Sequence, residues 1–562
     1  LKKSPRTTRT LTTSPNDLPH RTVRPKLVAN WETLQRVFLH PEDAHARSSL
    51  LKYMEQILFG LHGFLETHVG ITREKSLRQL AEHFSDFSLN TRPRRRLAEV
   101  IHGIVEELAP YAVNVASPHF VGHMTAAIPF FMVHLQTIVA ALNQNPVKLE
   151  TSKVVSVYER QVLAKVHRLI FKRSPAFYRR HVQRPESTLG SFLEDGTLAN
   201  LTALWVARNN CLAPCRGFAG VESEGMSAAL EAYNARQAVV LVSRMGHHSL
   251  RKAGGVLGLG HANVLALETD AHYRLDTQDL RRHLRSFASR EKRTMVIAVV
   301  GIAGATETGS IDDLATIGAI CRDHGVHFHV DAAWGGPTLM SAKYADRLKG
   351  IQHADSVTVD GHKQFYMPMG CGMVYFREPR RMDSVAYHAA YVNRPGSVDL
   401  GIKSLVGSRP ATSLILGSAL DIMGTQGYGM LIDHGIETAR LFAAEIKRRP
   451  LFELVTPPAL NILTYRLCPI GWQTGQRNSG NEAHQRRSGR LNQINIEIQR
   501  RQREAGRSFV SRTTLHPAGQ PATVVLRAVI MNPMTNLSIL KEILDEQEKI
   551  YRSLGDYFLK NK

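Results

Sequence analysis

The sequence predicts an α/β fold in which a mainly parallel sheet is covered on both faces, with a helical segment before it and a smaller α+β part after it. Three observations carry this expectation. From about residue 188, short β-branched runs alternate with helical stretches, the pattern of a parallel sheet whose crossovers lie on its faces. Ahead of that point apolar residues recur at helical spacing with no strand-like runs, and beyond residue 414 long helical text is broken by two β-runs.

The elements follow in order. Residues 1–30 are rich in Thr, Ser, Pro and Arg and lack the apolar stretch of a secretory signal. They also share the acid-poor composition of a transit peptide, but Pro5, Pro15, Pro19 and Pro25 break an amphipathic helix, so a disordered basic tail is expected. Residues 31–115 form a helical segment, with "SLLKYMEQILFGLHGFLETHV" and "PRRRLAEVIHGIVEELAP" carrying apolar residues at three- and four-residue spacing. Residues 116–413 are expected to be the large domain. It opens on the loop "NVASPHFVGHM" and a helical stretch ending at Phe171, and its strands are "AVVLVS", "VLALE", "TMVIAVVGIA", "HFHVDAA" and "SVTVDG". Residues 414–562 form the small domain, with "ALNILTYRL" and "TVVLRAVI" as strands and the polar 471–489 segment reading as a mobile loop.

Composition narrows the class. Over 562 residues, 43% hydrophobic and 21% charged side chains describe a globular chain and exclude collagenous, coiled-coil or wholly disordered readings. Five cysteines are too few for a disulfide framework in so long a chain and imply a reducing, cytoplasmic setting. The longest apolar run, 126–142, contains Pro129, His134 and Gln136 and falls short of a membrane span, so no membrane partner is expected. The net charge of +22 raises the question of nucleic acid. Its excess gathers in the amino-terminal tail and in an Arg-rich stretch from Arg477 to Arg512 without interleaved aromatics, so a solvated surface is the expected account.

Four motifs bear on chemistry. Lys363 follows a β-run and a Gly-His turn in "VDGHKQF"; it is either a structural lysine or a strand-end amine able to form a Schiff base. In "HFHVDAAWGG", His327, His329 and Asp331 alternate along one strand and share a face. A metal reading is set aside, because three ligands from one straight strand rarely converge on an ion. A carboxylate at the end of a strand can instead hold a pyridinium nitrogen protonated. "FLEDGTLANL" puts Gly196, Thr197 and Asn200 at the mouth of a helix, which is either an ordinary cap or a phosphate cradle. "SRMGHHSLRK" places His247 and Ser249 just after a strand, where an imidazole can stack on an aromatic ligand. Cradle, His, Asp and Lys in this order on successive α/β units point together to pyridoxal 5'-phosphate.

With those residues in place, residues 111–540 resemble the group II pyridoxal-phosphate decarboxylases, whose large domain has the aspartate aminotransferase-like (fold type I) architecture. The stretches "SPHFVGHMTAAIPFF", "ALNQNPVKLETSK", "HAAYVNRPGSVDLG" and "QRRQREAGRSFVSRTTL" are most similar to a subgroup that decarboxylates aspartate at C1 to β-alanine. The resemblance implies that Lys363 carries the cofactor, Asp331 pairs with its ring nitrogen, and His247 and Ala333 contact opposite faces of the ring. It also implies that Gly196, Thr197, Ser249 and His362 contribute to the cofactor cradle and that Thr306 lies near the ring. By the same resemblance Tyr391, chosen over Tyr387, delivers a proton to the α carbon, and Arg527 in "VVLRAVIMNP" binds a substrate carboxylate.

The chain departs from the glutamate enzymes at Gly122-His123, so recognition of the distal carboxylate falls to His123 and Asn143 as candidates. The polar "NQN" at 143–145 suits an acidic substrate. The expectation is therefore a homodimeric carboxy-lyase acting on a small acidic amino acid, aspartate first, with glutamate or cysteine sulfinate as the alternative.

Overall fold

The computed structural model describes residues 31, 44–66, 69, 76–288, 293–388, 397–470, 472, 481–517 and 520–560. The chain divides into two units, one of 1–64 with 75–111 and one of 65–74 with 112–562. In the first unit the helical expectation holds for α1 (Ala44–Glu66), α2 (Leu77–His83) and α3 (Leu97–His102), the last running on into a wider-turn helix over Gly103–Leu108. Ser76 starts α2 through a reciprocal cap: its Oγ accepts from Gln79 N at 3.2 Å, and Gln79 Oε1 accepts from Ser76 N at 2.9 Å.

The second unit begins with α4 (Phe130–Leu142), α5 (Leu149–Ser152), α6 (Val154–Phe171) and α7 (Pro175–His181). It continues through β1 (Gly190–Leu193), α8 (Gly196–Cys211), α9 (Val221–Ala232), β2 (Ala235–Ser243), α10 (His248–Val256) and β3 (Val264–Leu267). Next come α11 (Thr277–Ala288), β4 (Arg293–Ile302), α12 (Leu314–Asp323), β5 (Phe328–Asp331), β6 (Ser356–Asp360) and β7 (Gly372–Phe376). The sheet order is β1-β7-β6-β5-β4-β2-β3, parallel from β6 through β3, with β7 running antiparallel between β6 and β1.

Strand periodicity explains why both faces are covered. On β2, Val239 and Leu241 enter one apolar cluster while Ala238, Val240 and Val242 enter another. β4 divides in the same way between Val299 and the pair Val300 and Ile302. Each such fully buried Val or Leu contributes about 1.5–3 kcal/mol.

The long helix α13 (Thr412–Arg448) joins the two sheets, packing Ile415 and Leu416 on the first core and Phe442 and Ile446 on the second. The second sheet consists of β8 (Phe452–Thr456), β9 (Ile462–Leu467), β10 (Ser511–Leu515) and β11 (Thr523–Val529) in the antiparallel order β10-β11-β9-β8. It is covered by α14 (Asn481–Ala505) and α15 (Leu537–Lys560).

One expectation needs correction here. The 471–489 segment is not a loop throughout, because α14 starts at Asn481. Leu491, Ile494 and Ile498 recur at helical spacing on its buried face, where Asn495 and Gln499 are also buried and hydrogen-bonded to backbone, while its charged residues face outward. Within the Arg-rich 477–512 stretch, Arg500 meets Glu497 and Glu504 at 2.6 and 2.7 Å, Arg501 meets Glu497 at 2.8 Å, and Arg487 lies over the Trp472 ring. Among the described residues no helix is long and apolar enough to cross a membrane.

Candidate active site

A cavity of about 180 Å³ opens at the carboxyl ends of the parallel strands, where open α/β sheets bind ligands. Into it converge Gly196 and Thr197 from α8, His247 after β2, Thr306 after β4, Asp331 and Ala333 at the end of β5, and His362 and Lys363 after β6. Residues from Asp195 to Lys363 thus line one cavity, which no single motif could establish.

Local chemistry fixes each element. Asp195 caps α8, its Oδ1 accepting from Leu198 N at 2.9 Å, so the first turn of α8 faces the cavity. Glycine is needed at 196 because a Cβ there would come within 2.9 Å of Asp360 Oδ2. At the end of β5, Ala333 N donates to Asp331 Oδ1 at 3.1 Å, and a Cβ on Gly335 would sit 2.2 Å from the carbonyl oxygen of Ala303.

Asp331 is the last member of a buried, directional hydrogen-bond chain. Asn200 Nδ2 donates to Asp331 Oδ2 at 2.9 Å and to Ser249 Oγ at 3.1 Å, which leaves Asn200 Oδ1 to accept from His329 Nε2 at 3.0 Å. His329 Nδ1 then accepts from Ser356 Oγ at 2.9 Å, and Ser356 Oγ accepts from His327 Nε2 at 2.8 Å. Burial holds both imidazoles neutral, pushing His327 down to about 3 and His329 to about 4. The two histidines of the strand motif therefore orient a carboxylate, and among the described residues no His, Cys, Asp and Glu cluster is arranged to hold a metal.

Lys363 Nζ lies 3.0 Å from Asp360 Oδ2. Burial raises the Asp360 carboxyl against the opposing pull of Lys363 and His362, and its Oδ1 has no hydrogen-bond partner. His362 Nδ1 lies 2.9 Å from the carbonyl oxygen of Cys371. The His247 imidazole is held below its ordinary range chiefly by burial, opposed by Asp331, and its Nδ1 is 2.8 Å from Ser249 Oγ. Ser249 is fully buried behind His247 and does not line the cavity.

Arg527 donates through Nη1 to Thr306 O at 2.7 Å, through Nη2 to Gly122 O at 2.9 Å and through Nε to Ser511 Oγ at 3.0 Å. This buried guanidinium binds three separate segments together. His123, adjacent to Gly122, is held below its usual range by partial burial and by the positive charges of Arg527, Lys363 and His362.

Asn143 is not brought to the cavity: it ends α4 with φ 47°, exposed, its N–H donating to Val139 O. Tyr391 lies outside the described residues, and Tyr387 is exposed with its N–H on Ile402 O. Sequence reasoning passed over Asp360 and Glu307 and gave Asn200 no role beyond the helix mouth. Asp360 stands three residues before Lys363, and Asn200 one helical turn after Gly196, spacings that could have flagged both. Glu307, beside Thr306, has a carboxyl raised by burial and an Oε2 without a hydrogen-bond partner.

A lysine and a buried carboxylate flanking a cavity that a helix amino terminus also faces form an arrangement that fits an aldehyde-bearing aromatic phosphate. The model of the pyridoxal-dependent decarboxylase conserved domain matches residues 85–468. An aspartate 1-decarboxylase of Aliivibrio fischeri is 42% identical over 529 residues, covering 93% of this chain and 95% of the relative. The chain therefore belongs to the pyridoxal-dependent decarboxylase family, and its cofactor is pyridoxal phosphate.

Further relatives agree with this. An acidic amino acid decarboxylase of Xenopus tropicalis is 25% identical over 474 residues, covering 83% of this chain and 84% of the relative. The fold is shared with an Oryza sativa TDC solved with PLP and tryptamine: TM-score 0.77, 17% identity, 92% of this chain and 100% of that one.

Proposed function

We propose that the chain decarboxylates L-aspartate at C1, giving β-alanine and CO₂. The observation that carries the choice of substrate is the 42% identity, across 93% of the chain, to an aspartate 1-decarboxylase. A buried cation beside the cavity, Arg527, with the polar His123 imidazole close to it, supports an acidic substrate. Each terminal nitrogen of Arg527 has a second N–H beyond those given to Thr306 and Gly122, which suits a fork around a carboxylate.

When bound, pyridoxal phosphate supplies the electron sink that accepts the pair released with CO₂. The residues of the chain do the rest. Lys363 would provide the amine that holds the cofactor and would give way to the substrate amine. Asp331, held by Asn200 and Ala333, would keep a proton on the ring nitrogen. His247 and Ala333, which both line the cavity, would hold the ring between them. Gly196, Thr197 and His362 would hold the phosphate and Thr306 would border the ring, while Ser249, proposed from the sequence as part of the cradle, acts from behind by holding His247. Arg527 would orient the carboxylate that leaves, His123 would select the distal one, joined by Asn143 only where a partner subunit completes the site, and Tyr391 would return a proton to the α carbon.

The protein acts as a homodimer in this account. Exposed apolar side chains on α4 (Phe130, Ile138, Leu142) support a covering partner, and Asn143 at the end of α4 would serve a site completed by that partner. Five free cysteines support a reducing, cytoplasmic setting, and 31–115, 116–413 and 414–562 are the functional domains.

The experiment measures CO₂ release by the pyridoxal-phosphate-loaded protein from aspartate, glutamate, cysteine sulfinate and an aromatic amino acid side by side. Aspartate is expected to lead with β-alanine accumulating. A lead by glutamate or cysteine sulfinate overturns the substrate, and no release from any of them overturns the reaction.

A further inference from the structure

A second and larger cavity, of about 640 Å³, lies on the other side of the loop that follows β4. Its size is that of a small-molecule site, about 300–1,000 Å³. The lining is mostly apolar, with Ile311, Val455, Pro457 and Pro458, and carries two guanidiniums, Arg274 and Arg347. Arg274 is neutralised by Asp270 at 2.7 Å. Arg347 is different: it lies 5.2 Å from the Tyr344 ring, which Arg440 also approaches at 4.9 Å, and no described carboxylate is within ion-pair distance of it. An apolar chamber with one unneutralised, half-buried guanidinium is complementary to an apolar body bearing a single carboxylate.

The wall between this cavity and the active site is one short loop. Gly304, Ala305 and Thr306 line the active-site cavity, and Thr308, Ser310 and Ile311 line the second. Ser310 connects the two sides, its carbonyl accepting from Gly304 N at 3.1 Å and Ala305 N at 2.9 Å while its Oγ donates to Tyr273 O at 2.9 Å. Tyr273, in the second cavity, has φ 58°, an uncommon conformation for a bulky residue that its neighbours must hold in place.

We propose that this cavity is a second binding site, for a small monocarboxylate with an apolar body, joined to the active site through Ser310. Arg347 receives the carboxylate, and the apolar body rests on Pro457 and Pro458. A ligand there bears on Tyr273 and Ser310, hence on the backbone of Gly304 and Ala305. Coupling of this kind is reciprocal, so an occupied active site also alters affinity at the second cavity.

The test titrates the cofactor-loaded protein with 4-phenylbutyrate by calorimetry while recording the visible absorbance of the bound cofactor. Saturable binding of one molecule per chain is expected, with 4-phenylbutanol, the uncharged counterpart, binding about tenfold more weakly or worse. Arg347→Ala is expected to weaken 4-phenylbutyrate by a similar factor, and Ala459→Phe, which fills the cavity, to abolish binding. The acid is expected to shift the cofactor absorbance in the wild-type protein. No saturable heat, equal affinity for acid and alcohol, or binding that survives both substitutions overturns the site; binding without any absorbance change overturns its connection through Ser310. The acid–alcohol comparison uses the unaltered protein, so the test stands even where a substitution lowers stability.

Discussion

Asn200→Asp changes one atom of the chain that holds Asp331 and reverses its sign. In the structure Asn200 Nδ2 donates to Asp331 Oδ2 across 2.9 Å. The substitution replaces this donor with a second carboxylate oxygen. Two charges at that separation repel by about 6 kcal/mol at an effective dielectric constant near 20. Taking up a proton is cheaper: starting from an ordinary aspartate pKa of about 3.9, it costs about 4 kcal/mol at pH 7. The site is therefore expected to bind that proton, and its cost falls by about 1.4 kcal/mol for each pH unit toward pH 5. The assay compares thermal unfolding of cofactor-free wild-type and substituted protein between pH 5 and 7, using the difference so that titrations common to both cancel. The gap in midpoint should be widest at pH 7 and close as pH falls. Asn200→Ala, which adds no charge, should give a gap that changes little with pH. A gap for Asn200→Asp that is absent or constant across this range would refute the directional chain.

Other expectations follow from the same geometry. Lys363→Ala should abolish both the visible absorbance of bound cofactor and turnover, as an absorbance titration and a CO₂ assay would register. Glu159 and Arg409 form a buried pair with side chains 1% and 2% exposed, including an Arg409 Nη1–Glu159 Oε2 bond of 2.7 Å, so Glu159→Gln should destabilise the fold by about 3–5 kcal/mol in denaturant unfolding. His167, buried between Tyr178 Oη at 2.8 Å and Phe376 O at 3.0 Å, is pushed down to about 3. Its folded pKa lies below the unfolded value, so its contribution is complete above about pH 6.5 and is lost as pH falls toward 3, amounting to roughly 2 kcal/mol by pH 5. His167→Gln should accordingly narrow the difference in thermal midpoint between pH 7 and pH 5.

The parallel core was legible because β2, β4 and β6 are β-branched runs buried on both faces, which leaves a continuous apolar signature. β1 and β7 were not: each is four or five residues long and begins with glycine, a pattern shared by turns. The start of α14 was masked for another reason, since its solvent face is polar and its buried face only becomes regular from Leu491.

At the site, residue type and order along the sheet gave the Lys, Asp and His that meet in the cavity. What makes Asp331 a fixed carboxylate was out of reach of sequence patterns, because its support comes from Asn200, His329 and Ser356 on three different elements. Arg527 illustrates the same limit: two of its three hydrogen-bond partners are backbone carbonyls, which leave no trace in side-chain identity.

The central claim concerns which carboxylate leaves. The loaded protein would be given L-aspartate labelled with ¹⁴C at either C1 or C4, and the label followed into CO₂ and the amino acid product. The account predicts that the C1 label is released as CO₂ while the C4 label remains in β-alanine. Release of the C4 label with formation of alanine, or retention of both labels, would contradict it.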